Sequence, residues 1–420
     1  MNDTNKHINY TFVLSVIGLL FFVIGFALGI NGLLIPYLQK AFSLSSAESY
    51  LVLSATFGAF VIFGYPAGLL VKQIGYKKSM VVAFLFFALG LYLFVPSAKH
   101  ESFFLFILAS LISGIGNTIL QAAVNPYVTI CGPIESAARR ISIMGILNKS
   151  GWAVAPVFLA LFLNLSQTKV QLSEMHLPFY IIVGAFIFLG IFTYLTPLPE
   201  IKATGEDKNN IDSEESAEII KFVEEKKNIL QFPHLLLGML LLFLYVGIET
   251  ITLVTPVDFA NTIGLKNPQI YTSYTVIAMV IGYLLGVMLI PKVITQHNAL
   301  KICAASGIVF SFLAVTVPTH YAIYFIALMG FSNSLIWGPA WPLAISYLGK
   351  YTKTGASLLV MSIVGGAILP LIFGWLKDIL GDIQQAYWMC VPFYLYALYY
   401  AFWGYKVGVS HLITKTENKL

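Results

Sequence analysis

The chain reads as long apolar runs separated by short polar breaks. Runs of about 18–28 residues lie near 11–37, 50–71, 79–97, 103–130, 141–164, 178–196, 234–259, 270–291, 301–317, 321–347, 355–376 and 386–406. At ~1.5 Å per residue, each can cross a ~30 Å hydrocarbon core as an α-helix. Lipid leaves no water to satisfy backbone N–H and C=O groups, so these runs predict helices and not loops or open sheet. Their apolar character is continuous and does not alternate, which excludes a membrane β-barrel. The first run extends over 11–38, is broken by glycines and lacks a small-residue cleavage site, so it predicts a first span and not a signal peptide. One long polar stretch, 197–230, divides the series six and six. It predicts a solvated cytoplasmic linker with a short amphipathic helix over 213–227. An even division is the pattern of transporters built from two structural repeats. The expected architecture is an all-α membrane protein of twelve transmembrane helices in two six-helix bundles. The first bundle is expected over 1–196, the linker over 197–233, and the second bundle with a short cytoplasmic tail over 234–420.

Composition agrees with this pattern. Hydrophobic residues make up 58% of the 420 positions and charged residues only 10%, against roughly 25% charged in a soluble domain. So little charge could not cover a water-facing surface. Aromatic residues, at 15%, suit interfacial belts and stacking sites. The net charge of +5 reports orientation more than an acidic partner. With both termini inside, 18 Lys and Arg fall on the cytoplasmic side, from Lys6 to Lys419, and 5 fall outside, Lys169 among them. That split obeys the positive-inside rule, and the reversed topology violates it. Cys131, Cys303 and Cys390 lack metal-ligand spacing and read as small apolar side chains. The sequence holds no GxxxxGK[ST] phosphate loop, no His-Glu-x-x-His and no GxSxG elbow. An ATP-driven pump and a membrane protease are therefore disfavoured. No enzyme activity, cofactor, metal or nucleic-acid partner is expected.

Candidate chemistry concentrates in a few residues. Of the 19 acids, nine lie in the linker and nine at termini, short loops or span ends. The last, Glu249, falls about 15 residues, or ~22 Å, into span seven. Lys149 is the base of comparable depth, ~13 Å into span five. A charge at mid-span costs ~2.5–3.5 kcal/mol on insertion scales, so such residues mark function. One reading is that Lys149 and Glu249 neutralise each other and hold the two halves together. The other is that they bind substrate, couple or gate, and a pair that breaks during the cycle would serve both.

Polar stripes add to these charges. On span four, Asn117, Gln121 and Asn125 recur every four residues and share one helical face. Amides offer donors and acceptors together, which suits the paired hydroxyls of a sugar. Helix–helix hydrogen bonding is the alternative, and Asn125 precedes Pro126, where it can cap a kink. Span ten carries Asn333, Trp337 and Trp341 at the same spacing. An indole face packs on the C–H face of a pyranose, and its N–H can donate to a hydroxyl. Trp341, nearer the cytoplasmic end, fits core equally well. Tyr245 lies one turn from Glu249, Asn148 lies one turn from Trp152, and Asn31 on span one is a further buried amide. Gly25, Gly29 and Gly32 on span one, with Gly365 and Gly366 on span eleven, permit close helix contact or bending.

The segment GLLVKQIGYKK (68–78) resembles the loop signature of the major facilitator superfamily through Gly68, Gly75, Lys77 and Lys78. Lys72 stands where that signature carries an acid. NPYVTICGP (125–133), YVGIET (245–250) and MSIVGGAILP (361–370) resemble the fucose permease type of sugar transporter within that superfamily. The likeness runs from NGLLIPYLQKAF (31–42) to span twelve. The resemblance implies the major facilitator fold, a substrate site between bundles, and secondary uptake of a hexose. Compared with fucose–proton symporters, Gly32 replaces an aspartate, Gln121 a glutamate and Glu249 a glutamine. Lys149, after Asn148, departs from their Asn-Ser. The glucose/galactose branch is similar in pairing a span-four glutamine with a span-seven glutamate.

The resulting expectation is a monomeric importer in the bacterial inner membrane, working by alternating access and coupled to a proton or sodium ion. Its substrate is expected to be glucose or galactose. Asn31, Asn117, Gln121, Asn148, Tyr245, Asn333 and Trp337 would contact the sugar, and Glu249 with Lys149 would couple or gate. An anionic or amino sugar, uniport, and a non-transporting sugar sensor are the alternatives. The lack of a long soluble signalling domain argues against the last.

Overall fold

The computed structural model describes residues 10–44, 48, 51–163, 171–206, 214–268 and 270–417. Lys6, Lys169, Lys419 and the 207–213 part of the expected linker lie outside these residues. Among the described residues every regular element is helical, and eleven helices are long and apolar enough to cross a membrane. The run expected at 386–406 is helical too, but in abutting pieces: Ile383–Ala386, a 3-10 turn at Tyr387–Met389, and Cys390–Phe402. Pro392 has no N–H for the carbonyl four residues back, and the turn before it tightens.

The chain forms two compact units, one of Met1–Gly132 and Met144–Ile201, the other of Pro133–Ile143 and Lys202–Leu420. Helices α1 (Tyr10–Gly29) and α2 (Asn31–Phe42) run almost end to end. Ile30 between them keeps right-handed helical angles, and its N–H donates to the Phe26 carbonyl at 3.1 Å. They are followed by α3 (Leu51–Ile74), α4 (Tyr76–Lys99), α5 (Phe103–Ile130), α6 (Ala137–Ala160) and α7 (His176–Leu195). After the linker come α8 (Glu214–Glu224), α9 (Pro233–Thr262), α10 (Ile270–Leu289), α11 (Gln296–Thr316), α12 (Thr319–Ser334) and α13 (Trp337–Ile345). The chain closes with α14 (Thr352–Met361), α15 (Gly365–Leu380), α16 (Ile383–Ala386), α17 (Cys390–Phe402) and α18 (Ser410–Glu417). The run expected at 321–347 is split between α12 and α13. Pro339 cannot donate to the Leu335 carbonyl, and the helix breaks there.

Packing repeats between the units. In the first, α5 lies against α3 and α4, and α4 against α7; in the second, α12 lies against α10 and α11, and α11 against α17. The same relation pairs α1 with α6 and α9 with α15, and in both pairs backbone meets backbone. A Cβ on Gly25 or Gly151 would overlap the Asn148 or Phe22 carbonyl oxygen, and one on Gly365 would overlap that of Phe243. Aromatic rings fill the α4–α7 contact: Phe87 and Phe186 sit 5.1 Å apart, and Phe94 stacks on Phe179 at 4.8 Å. Gly75 has φ 83°, open to glycine at little cost. Its missing side chain makes room for the Glu200 carboxylate, which accepts from the Tyr76 and Lys77 N–H groups at 3.0 Å each. An acid at this helix start offsets the positive end of the α4 dipole.

The linker departs from the solvated segment expected of its polarity. Its amphipathic helix forms as α8, but Ile219, Phe222 and Val223 are buried. Phe222 packs edge-on against Phe232 at 5.9 Å and His411 at 5.4 Å. Glu206 accepts from the Ala203 N–H at 2.8 Å and pairs with Lys353 at 3.0 Å, both side chains largely shielded. Charge at the ends of α8 hid an apolar stripe that the second unit covers. Phe222→Ala is expected to release the linker, because large-to-small changes at buried aromatics cost ~3–5 kcal/mol. Limited trypsin digestion of the detergent-solubilised protein should then cleave at Lys226 and Lys227 at least ~10-fold faster. An unchanged cleavage rate would contradict this docking.

Candidate functional site: two polar helix faces

Each unit gathers part of the expected polar set. In the first, Asn117, Gln121 and Asn125 line one face of α5, all buried. The Gln121 side-chain amide donates to the Asn117 carbonyl oxygen at 2.9 Å. The Asn125 amide turns back on the Gln121 backbone carbonyl at 3.0 Å. The outward ends of this ladder are free: Asn117 Nδ2 and Asn125 Oδ1 have no hydrogen-bond partner among the described residues. A buried polar atom left so costs about 1–3 kcal/mol, the reward open to any group that satisfies it. On α6, Asn148 donates to the Phe21 carbonyl at 3.1 Å and joins the close α1–α6 crossing. Lys149 and Trp152 are half-buried on the same helix. Asn31 is buried at the start of α2 and donates weakly to the Leu28 carbonyl at 3.3 Å.

In the second unit, Tyr245 donates to the Glu249 side chain at 2.6 Å, a short contact between residues one helical turn apart. The Tyr245 ring lies 6.0 Å from that of Trp337, and Trp337 meets Trp341 edge-on at 5.5 Å. Trp337 keeps part of its surface open, whereas Trp341 is wholly buried with no partner for its Nε1 among the described residues. Core and free donor thus describe the same indole. Asn333 is also wholly buried, and both ends of its amide are taken. It donates to Thr252 at 3.0 Å and accepts from Tyr394 at 2.8 Å. Thr252 in turn donates to the Glu249 backbone carbonyl at 3.0 Å. A saturated chain from α17 through α12 therefore ends on the helical turn that carries Glu249.

Thr252, Tyr394 and Tyr283 are the neighbours that sequence reasoning missed. Tyr283 of α10 is buried beside Tyr245 and interacts with it. Thr252 lies three residues after Glu249, so extending the helical face would have found it. Nothing marks Tyr283 or Tyr394 among the 23 tyrosines of the chain. No group of His, Cys, Asp and Glu among the described residues is placed to hold a metal ion.

Residues 17–363 match the family described as the Major Facilitator Superfamily. The chain belongs to that superfamily. It is 33% identical over 413 residues to the glucose/galactose transporter of Brucella abortus biovar 1 (strain 9-941), covering 96% of this chain and 97% of that one. It is 26% identical over 409 residues to the L-fucose-proton symporter of Escherichia coli (strain K12), covering 91% of each. In structure it is similar to the major facilitator superfamily transporter FucP in the outward conformation, with TM-score 0.80 and 23% identity over 94% of this chain and 99% of that one. This last likeness speaks for the fold alone. An all-helical major facilitator fold follows.

Proposed function

We propose that this protein is a secondary active transporter that imports a hexose of the glucose/galactose kind by alternating access. The observation that carries the reading is the Tyr245–Glu249 hydrogen bond set beside the Trp337 ring. It joins an ionisable group to a flat apolar face, which is what coupled binding of a pyranose needs. The name of the Brucella relative supports the substrate class, and that of the Escherichia coli relative supports symport. In this reading the chain makes twelve spans, 386–406 being the last, with both termini cytoplasmic in a bacterial inner membrane. Its halves are 1–196 and 234–420, joined by 197–233, and the working unit is a monomer. Trp337 stacks on the sugar, while Asn117, Gln121 and Asn31 bind hydroxyls through their amides. Asn148 and Asn333 act mainly by holding α1 and α9 in place. Glu249 couples transport to a proton or sodium ion, and Lys149 gates.

Counterflow of labelled glucose and galactose in liposomes tests the proposal. Failure to exchange any labelled hexose would sink it. Trp337→Ala is expected to raise the half-saturation for counterflow about 10-fold, the worth of one aromatic platform, with Trp337→Phe in between. Equal half-saturation in all three proteins would remove Trp337 from the site. Lys149 is the observation that favours an anionic sugar instead. Stronger competition by glucuronate than by galactose would select that substrate.

A further inference from the structure

The second unit carries a basic and aromatic surface that sugar transport does not use. Lys301, in the second turn of α11, places its Nζ 4.4 Å from the Phe402 ring centre at the end of α17. Lys406, four residues on, lies 5.4 Å from the Tyr405 ring. The His297 ring stacks on that of Tyr405, 6.0 Å away and inclined by 16°. The Trp403 ring lies 5.3 Å from that of Phe402 and is 62% exposed, with Phe402 and Tyr399 exposed beside it. The start of α11 and the end of α17 thus build one face: two ammonium groups held against ring faces, flanked by an open indole.

Charge balance points to the occupant. The sequence holds no Asp or Glu between Asp258 and Asp378, and none between Asp382 and Glu417. Among the described residues neither Lys301 nor Lys406 meets a carboxylate, and Lys301 donates only to the Asn298 side chain, at 3.4 Å. Lys353, in the first turn of α14, is by contrast neutralised by Glu206 at 3.0 Å. Two cations kept in place by rings and left without an acid suit an anion from outside the chain. Exposed Trp, Tyr and Phe mark the depth of lipid headgroups. The exposed face of α17 continues from them into Leu395, an apolar path for an acyl chain.

We propose that Lys301 and Lys406, with the exposed Trp403 beside Phe402, hold the phosphate of an anionic phospholipid against this face. Cation–ring contact fixes each ammonium without consuming all its donors, so each keeps N–H groups for phosphate oxygens. The site is independent of the sugar reading and stands or falls without it.

Native mass spectrometry of the purified full chain, titrated with phosphatidylglycerol and with phosphatidylcholine of the same acyl length, tests the site. Phosphatidylglycerol is expected to be retained preferentially. A K301A/K406A protein should lose that preference about 25-fold, since each lysine near a membrane surface contributes about a factor of five. Phosphatidylcholine retention should not change. Lys350 rests on the Tyr351 ring elsewhere in the same unit and supplies the control, K350A, which should bind as the parent does. The added thermal stability conferred by phosphatidylglycerol, read on each protein in detergent, should fall with K301A/K406A alone. Equal retention of the two lipids by the parent would overturn the site. So would unchanged phosphatidylglycerol binding by K301A/K406A, an equal loss in K350A, or displacement of the lipid by free glycerol phosphate.

Discussion

Glu249→Gln is expected to bring hexose accumulation in energised liposomes down to an inside-to-outside ratio of about one while counterflow continues. Gln keeps the length of the side chain and an oxygen to accept from Tyr245, which donates to Glu249 at 2.6 Å. The variant therefore preserves the helical turn, held from the other side by the Thr252 and Asn333 hydrogen bonds. What it removes is the charge, and with it the capacity to exchange a proton or balance a sodium ion. An ion-coupled cycle loses its driving force, whereas sugar-for-sugar exchange needs no net ion movement. Imposing proton and sodium gradients separately on the parent protein identifies the ion. Normal accumulation by Glu249→Gln under the effective gradient would end the coupling role assigned to this residue. Loss of counterflow as well would make Glu249 a sugar ligand.

A single methyl group at Gly25 should be as damaging to folding as Glu249→Gln is to coupling. Gly25→Ala places a Cβ on the Asn148 carbonyl oxygen, and Gly151→Ala places one on that of Phe22. Overfilled cores usually cost about 1–3 kcal/mol because side chains can shift. Here the obstacle is backbone, so no rotamer change relieves it and α1 must move off α6. The shift would also break the Asn148–Phe21 hydrogen bond of 3.1 Å. A penalty of about 3 kcal/mol is a large part of the 5–15 kcal/mol that holds a typical domain folded. The expected result is a marked loss of monodisperse protein by fluorescence-detected size exclusion and a lower midpoint in its thermal version. Gly58→Ala is the matched control: a Cβ there meets nothing within 4 Å, and the protein should behave as the parent. Equal behaviour of Gly25→Ala and Gly58→Ala would show that the α1–α6 contact yields without cost.

These two outcomes mark different depths of sequence reading. Glu249 was legible because a carboxylate far inside an apolar run is costly and therefore conspicuous. Its partner Tyr245 was legible because four residues make one helical turn. Gly25 stood out only as a small residue and Gly151 did not stand out at all, and which backbone each meets follows from the crossing of α1 and α6. The amides divide in the same way. Asn117 and Asn333 have equal standing in sequence, each on a polar stripe. Among the described residues Asn117 Nδ2 meets no partner, whereas Asn333 spends both ends of its amide on Thr252 and Tyr394.

By itself the sequence determined the helices and the superfamily, because apolar run length and local motifs are properties of neighbouring residues. The depth of Glu249 and Lys149 in those runs was settled at the same level. The tertiary structure alone decided which polar atoms are satisfied, and it buried Ile219, Phe222 and Val223 of a linker whose polarity predicted solvation. It also brought Lys301 over Phe402, residues a hundred positions apart in the chain. Hydrogen-bond satisfaction and burial depend on which helices become neighbours. That choice rests on long-range packing, to which no local pattern gives access.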